Sequence, residues 1–331
     1  MRRKGLLIAA AILALAAGLG AYWRYTALYP STHDAYVQAH IVTVAAQLTG
    51  KVTAVHVAEN QRVAAGDPLF DLDDTTYRHT VAQARAEADA ASDAIAAGQQ
   101  AVEAARARQA AAASARSSVE AKLSRTEALF KQGNVAQAAL DDARTSAAQA
   151  QADLDAAHSG LATAQATLKT SRDTLAAARA RLANAETDLA RTHVAAPVDG
   201  WVTNLSLRPG SAVTAYAPLF ALVDPSEWWI EANFRETDLP RILPGQPVTV
   251  TVDMLPGRSF SGHVGSVAHG SGATFALLPA ENASGNWVKV TQRFAVRIPL
   301  DQAGDAGLRV GASAMARVDT TADATAAGHG Q

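Results

Sequence analysis

The sequence reads VAAQLTGKVT at Val44–Thr53 and VAAPVDGWVT at Val194–Thr203. The echo runs on past those residues. Pro68-Leu69-Phe70 returns as Pro218-Leu219-Phe220, Val63 as Val213, Leu72 as Leu222 and Asp74 as Asp224, all at an offset of 150 positions. Across 44–74 and 194–224, 13 of 31 positions are identical without a gap, so the chain carries one unit twice. Copy one alternates apolar and polar residues over Lys51–Val57, then breaks at Glu59-Asn60 and Ala65-Gly66-Asp67, a pattern of short strands and turns. About 30 residues are too few to bury a stable core alone. Two copies suffice if they pack face to face as one β-sandwich, and that requires residues near 74 and 194 to meet.

What separates the copies must therefore leave and come back. Residues 76–191 hold no proline and three glycines, Gly98, Gly133 and Gly160. Every seventh residue from Val81 gives Val81, Ala88, Ile95, Val102, Gln109, Arg116, Leu123 and Phe130; a companion series runs Ala84, Ala91, Gly98, Ala105, Ala112, Val119 and Thr126. From Leu140 the same spacing gives Leu140, Ala147, Leu154, Leu161, Leu168, Leu175, Leu182 and Leu189, with Ala143, Ala150, Ala157, Ala164, Ser171, Ala178 and Ala185 beside it. These are coiled-coil seams, large residues on one position and mostly small ones on the other. The first seam weakens at Gln109 and Arg116. Between the seams, Lys131-Gln132-Gly133-Asn134 is the one strong turn signal: Gly133 suits a left-handed helix stop, and Asn134 suits the cap of the next helix. Two arms of about 56 residues, roughly 84 Å each, fold into an antiparallel hairpin.

The N-terminus reads Arg2-Arg3-Lys4, then an uncharged apolar run over 5–23, then Arg24 among Tyr22, Trp23, Tyr25 and Tyr29. Nineteen residues of helix span roughly 28 Å, enough to cross a bilayer, and the basic cluster predicts a cytoplasmic N-terminus. A cleaved signal peptide is the rival, because Ala14-Leu15-Ala16 and Gly18-Leu19-Gly20 resemble small-x-small cleavage sites. The length of the run and its interfacial aromatics favour a retained anchor. From Glu227 the pattern turns to strands: Trp228–Phe234, Pro247–Leu255, Phe260–Val267, Val288–Leu300 and Val310–Thr320, broken by Pro244-Gly245, Pro256-Gly257, Gly270-Ser271-Gly272 and Gly304. That is a small barrel or sandwich, to which 30–43 adds a strand. The tail 321–331 is small and polar and is expected to be disordered. The fold class is thus α+β and elongated.

Composition narrows function. A net charge of −2 gives no basic surplus for nucleic acid. The absence of cysteine excludes disulfides, thiolate metal sites, a thiol nucleophile and a lipoprotein anchor. No Ser/His/Asp set, phosphate loop or zinc spacing is present, so no catalytic, metal or cofactor residues are assigned and the chain does not read as an enzyme. Asp71-Leu72-Asp73-Asp74 with His79 suggests a metal cluster less than it suggests a helix start capped by Asp and Thr. His33 and His40 read as surface loop more than pH sensors, and Asn282-Ala283-Ser284 matches a glycosylation sequon by pattern alone.

Several segments resemble the periplasmic adaptor, or membrane fusion, proteins of tripartite efflux pumps, of the HlyD/EmrA type and closest to the EmrA branch. They are Thr32–Val37 (THDAYV), Ala195–Gly200 (AAPVDG), Glu231–Thr237 (EANFRET), Pro244–Val248 (PGQPV) and Gly285–Arg293 (GNWVKVTQR). The resemblance covers all but the tail. It implies an anchor at 5–23 behind a cytoplasmic tip 1–4, a barrel strand or linker at 30–43, and a split lipoyl domain at 44–74 and 193–224. It further implies a hairpin at 75–192 with its tip at 131–136, and a barrel at 225–320. It implies an inner-membrane location with the bulk in the periplasm. The partners would be an inner-membrane drug transporter, which Gly285–Arg293 suggests is a major facilitator superfamily drug/proton antiporter, and a TolC-like outer-membrane channel. It also implies a homo-oligomer, hexameric or trimeric. A family tip motif falls on Arg125, Leu129 and Ala136, where the third position has lost its usual hydroxyl; with Gly133 and Asn134 these are the expected channel contacts. Three alternatives remain: an adaptor of a type I ABC protein secretion system, an acyl or biotin carrier using Lys51, and a purely structural envelope coiled coil.

Overall fold

The computed structural model describes residues 13, 15, 18–20, 22–275, 291–302 and 307–322. The basic tip 1–4, most of the apolar run 5–23, the sequon at Asn282, Gly285–Val290, Gly304 and most of the tail lie outside the described residues. Among the described residues, no helix is long and apolar enough to cross a membrane.

The repeat copies interlock. Copy one supplies β2 (Gly50–Val55), β3 (Arg62–Val63) and β4 (Pro68–Leu72). Copy two supplies β6 (Gly200–Thr203), β7 (Ala212–Val213) and the first part of β8 (Pro218–Arg235). Strand β2 pairs β7 while β3 pairs β6, so each copy's first hairpin is completed by the other copy. The sequence suggests two separate layers laid face to face; instead the halves exchange strands. The pairing obeys a pseudo-two-fold. Val52 N donates to Ser211 O at 2.8 Å, and Val202 N to Gln61 O at 3.0 Å. Gly66 N donates to Ala196 O at 2.8 Å, and Tyr216 N to Ala46 O at 2.7 Å. Each bond has a twin 150 residues away. Four of the five left-handed residues in the copies are twinned as well, Asn60 (φ 62) with Gly210 (φ 93) and Gly66 (φ 91) with Tyr216 (φ 62); the fifth, Asn204 (φ 59), has no left-handed twin.

One apolar core serves both copies. Val52, Leu69, Phe70 and Leu72 from the first pack with Val202, Val213, Phe220 and Leu222 from the second. Phe70 and Phe220 meet edge to face at the centre, ring centroids 6.2 Å apart, the arrangement that aromatic quadrupoles favour. Strand β5 (His193–Ala195) pairs β4, and Leu72 N donates to Thr192 O at 2.8 Å, which closes the root of the insert.

From that root rises α1 (Thr75–Lys131), and α2 (Gln137–Ala190) returns alongside it. The buried residues are seam residues: Ala84, Ala88, Ala91, Val102 and Ala105 on α1, with Leu140, Ala143, Leu154, Leu168, Leu175, Ala178 and Ala185 on α2. Small residues draw the helices close. At Gly98 a Cβ would sit 3.2 Å from Leu168 Cδ1. The polar seam positions find local solutions. Gln109 Nε2 meets His158 Nε2 at 3.0 Å across the hairpin, and Arg116 pairs with Glu120 at 2.7 Å. At the N-terminus of α1, Asp73 Oδ1 accepts from Thr75 N and Thr75 Oγ1 at 3.1 and 2.7 Å. Asp74 occupies the cap position and binds Arg78 instead.

Beyond the sandwich, two long strands carry the chain onward. β1 (Ser31–Ala45) pairs β8 from Ala35↔Ala232 to Ala45↔Pro218. Between Ala39↔Trp228 and His40↔Asp224 the register skips residues 225–227 of β8, a bulge that bends the strand between sandwich and barrel. The rest of the barrel is β9 (Pro247–Val252), β10 (Ser259–His263), β11 (Ser266–Ser271), β12 (Arg293–Pro299) and β13 (Ser313–Val318). The expected strand over Phe260–Val267 is thus two strands, broken at Val264-Gly265. The order is β10-β9-β13-β1-β8-β12-β11, and a Gly262↔Leu300 bridge joins β10 to the end of β12. Val37, Ile230, Phe234, Val250, Val296, Ile298 and Ala316 fill the interior.

Candidate docking tip of the helical hairpin

The hairpin ends in a hydrogen-bonded turn. Gln132 caps α1, Gly133 takes φ 76, Gly133 N donates to Phe130 O at 2.9 Å, and Asn134 N donates to Leu129 O at 2.9 Å. These two bonds define a Schellman motif, which satisfies carbonyls the helix end leaves free. Gly133 therefore stops the helix by the expected means. Asn134 does not start the next one. Helix α2 begins at Gln137 behind Ala136, whose extended backbone (φ −78, ψ 154) is that of a cap and whose methyl supplies no cap bond. The Asn134 amide instead contacts Gln132 Oε1 at 3.4 Å. Two Schellman bonds commit Asn134 to the end of α1, so the cap falls two residues later.

All five expected contact residues gather at this end. Arg125 and Leu129 lie one turn apart on the last stretch of α1, Gly133 and Asn134 form the turn, and Ala136 opens α2. Leu129 is 43% exposed, unusual for a leucine beside an available seam. The Arg125 side chain is exposed and has no partner among the described residues. Behind the tip a notch of about 300 Å³ opens between the helices; Val119, Leu123, Val135 and Ala143 line it together with Lys122, Asp142 and Ser146. The tip thus presents an exposed leucine, a free guanidinium and a notch of mixed apolar and charged lining.

The root holds a cluster that sequence reading missed. Asp71 on β4 is gripped from both sides: His193 Nδ1 lies 2.7 Å from Oδ1, and His56 Nε2 lies 2.7 Å from Oδ2. Burial pushes the Asp71 carboxyl up, but hydrogen bonds from His193 and His56, with their charge, hold it below the usual carboxylate range. The sequence reading weighed His79 beside this acidic run and preferred a helix start; the histidines that reach Asp71 stand 15 residues before it and 122 after. Only the strand pairing of β4 with β2 and β5 reveals that. Among the described residues no group of three ligating side chains is placed to hold a metal. Lys51 lies in the β2–β7 ladder opposite Ala212, beside the hairpin root.

Comparison with known proteins agrees with this architecture. Residues 40–225 match the family described as the RND MFP barrel-sandwich hybrid domain, and residues 227–319 match the AAEA-like β-barrel domain. The chain is 36% identical over 324 residues to multidrug resistance protein MdtN of Escherichia coli O157:H7, covering 93% of this chain and 94% of that one. It is 34% identical over 328 residues to multidrug export protein EmrA of Haemophilus influenzae, covering 96% and 84%. The solved membrane fusion protein Spr0693 of Streptococcus pneumoniae R6 shares the fold, with a TM-score of 0.50 at 17% identity over 88% of this chain and 97% of that one.

Proposed function

This chain belongs to the membrane fusion protein family, and we propose that it is the periplasmic adaptor of a multidrug efflux system. In this reading it links an inner-membrane transporter to a TolC-like outer-membrane channel. The observation that carries it is the closed split sandwich with a hairpin of 57 and 54 residues growing from it. A rod of roughly 85 Å with an exposed tip supplies reach. The relatives' names, a multidrug resistance protein and a multidrug export protein, support the same role.

We assign residues 5–23 to a single-pass anchor with its N-terminus in the cytoplasm, 75–192 to the hairpin, 44–74 and 193–224 to the split lipoyl domain, and 225–320 to the barrel. The helical turn that precedes β1 is tied to the barrel base: Arg241 donates to Ala27 O at 2.7 Å, and Thr320 Oγ1 to Leu28 O at 2.8 Å. Those bonds fit an anchor that enters the barrel end-on. The resemblance of Gly285–Arg293 to adaptors of major facilitator antiporters favours such a transporter as partner. Several copies would form a ring around the exit path, with the transporter supplying the energy. The tip would meet the channel through Arg125 and Leu129, presented by the turn at Gly133, Asn134 and Ala136.

Arg125→Asp tests the tip directly. In a strain whose drug resistance depends on this chain, the variant should reach the same membrane level and lose that resistance. A photo-crosslinker at Asn134 should capture the outer-membrane channel. Unchanged resistance together with no captured channel would overturn the docking assignment.

A further inference from the structure

The loop between β8 and β9 covers the barrel end at which the chain enters β1. It reads Leu239-Pro240-Arg241-Ile242-Leu243-Pro244, five apolar residues around one base, and no acid follows until Asp253. Ile242 is 3% exposed and belongs to the barrel core. Its neighbour Leu243 is 52% exposed, and Pro240 and Pro244 are exposed on either side of the pair. A lone surface leucine needs no explanation. This one is held in place by a buried polar side chain. Gln246 applies both ends of its amide to the loop: Oε1 accepts from Leu243 N at 2.9 Å, and Nε2 donates to Arg241 O at 3.0 Å. Gly245 N donates to Val264 O at 2.7 Å, and Val264 N to Gln246 O at 2.8 Å. The barrel thus fixes the loop backbone with one aliphatic side chain inside and the next outside.

The same loop is fastened to the segment that leads back to the anchor. Arg241 Nη1 donates to Ala27 O at 2.7 Å. Tyr22, Trp23 and Tyr25 precede Ala27 on the helical stretch 22–28, and all three are exposed. Such an aromatic set sits at headgroup level beside a membrane-spanning segment. Along the helix, Trp23 and Tyr25 lie about 6 and 3 Å from Ala27. Two residues of chain, at most about 7 Å, separate Leu243 from Arg241. Leu243 is therefore presented within a short reach of the level at which those aromatics meet lipid. A protein partner would find little to recognise here, since Arg241 is the only polar side chain in Leu239–Pro244 and it already serves Ala27. An aliphatic tip without acids, next to a cation, suits the boundary between headgroups and acyl chains.

Resting on the anchor assignment above, we propose that the β8–β9 loop is a second membrane contact, with Leu243 entering the lipid interface beside the anchor. One attachment point lets the barrel swing. Two, joined by the Arg241–Ala27 bond, restrict its tilt, and the long strands β1 and β8 carry that restriction into the sandwich from which the hairpin grows.

The test uses the full chain in vesicles of phosphatidylcholine and phosphatidylglycerol, with no transporter present. The chain has no cysteine, so a single introduced cysteine takes one environment-sensitive fluorophore. Leu243→Cys reports the loop, Met254→Cys the turn at the far end of β9, and Tyr22→Cys the anchor side; all three side chains are exposed, so the labels leave the core intact. With a nitroxide near the top of the lipid acyl chains, fluorescence at 22 and 243 should fall about twofold or more, and fluorescence at 254 should not change. A further pair asks whether the leucine or the dye makes the contact. A label at Pro244→Cys should be quenched, and about twofold less when Leu243→Asp is added. No quenching at 243 with quenching at 22 would overturn the loop contact, leave the anchor standing and return the surface to a protein partner. No quenching at either would overturn the anchor and the contact together. Quenching at 254 equal to that at 243, or no effect of Leu243→Asp, would also overturn the contact.

Discussion

The two repeat copies share a backbone but not a chemistry. The strand pairings of 44–74 and 194–224 match at most positions, although β2–β4 shifts register between Val52 and Ala54 where β6–β8 does not, and many twinned side chains differ where a copy meets something else. Copy one ends at Leu72 and hands the chain to a helix through Asp73 and Asp74. Copy two does not end; β8 runs from Pro218 through the bulge to Arg235 and becomes a barrel strand. Identity persists where both copies face their common core, as at Val52/Val202, Phe70/Phe220 and Leu72/Leu222. It fails where each copy faces its own neighbour. Inward residues stay apolar even where the copies differ, as at Val55/Leu205 and Val57/Leu207, and several outward ones serve the junction they abut.

The largest test of that division is in the core. Phe70 is fully buried and Phe220 is 3% exposed. Removing either ring by substitution with alanine should cost about 3–5 kcal/mol, and the two losses should agree within about 1 kcal/mol. Chemical denaturation of the full chain, followed by tryptophan fluorescence, measures both. If one substitution were nearly silent while the other unfolded the sandwich, the copies would not share a core.

A smaller effect should separate the copies. Gly50 and Gly200 are twins in sequence but not in surroundings. A Cβ on Gly200 would sit 2.6 Å from the carbonyl oxygen of Val223, whereas one on Gly50 would find only the Leu72 side chain at 3.7 Å. Backbone cannot yield as a side chain can. Gly200→Ala should therefore cost about 1–3 kcal/mol, and Gly50→Ala should be neutral or stabilising by about 0.4–1 kcal/mol. Equal losses would mean that the strand leading into the barrel packs no more tightly than the one leading into the hairpin.

These contrasts also mark what was legible in the sequence. The repeat, the equal arms and the glycine turn could be read, because each rests on periodicity or on one residue's conformational range. The seams were read residue by residue, and the buried positions Ala84, Val102, Leu154 and Leu175 all fall on them. Strand exchange was not legible: β2 pairs equally well with either copy as far as alternation can say. Nor was the continuity of β8, since Pro225 looks like a strand breaker. The bulge absorbs it, at a place where its missing N–H leaves no ladder bond unmade. At the tip, Arg125 and Leu129 were singled out by resemblance to the family's motif and not by their own pattern, and the start of α2 could not be read, because Ala136 caps by backbone shape alone. The His56–Asp71–His193 cluster was out of reach for a different reason. Its members come from three segments, and nothing local to any of them points to the others.

That cluster gives the smallest and most selective contrast between the copies. The twin of Asp71 is Ala221, which cannot ionise, so only copy one should respond to acid here. The neighbourhood of Asp71 includes His56, His193, Asp74 at 4.0 Å from His193, and Arg78 paired to Asp74. Because folding lowers the Asp71 carboxyl, the ionised form binds the fold more tightly than the protonated one. Its contribution is present above the ordinary aspartate value of about 3.9 and is lost as pH falls from there through the lower folded value. Asp71→Asn keeps the shape and one acceptor but removes the charge. The variant should be less stable than the unmodified chain at pH 7, and the two should converge near pH 2, while Ala221→Ser should show no such convergence. A gap between Asp71→Asn and the unmodified chain that stays the same from pH 7 to pH 2 would mean that the paired histidines hold the hairpin root by shape alone.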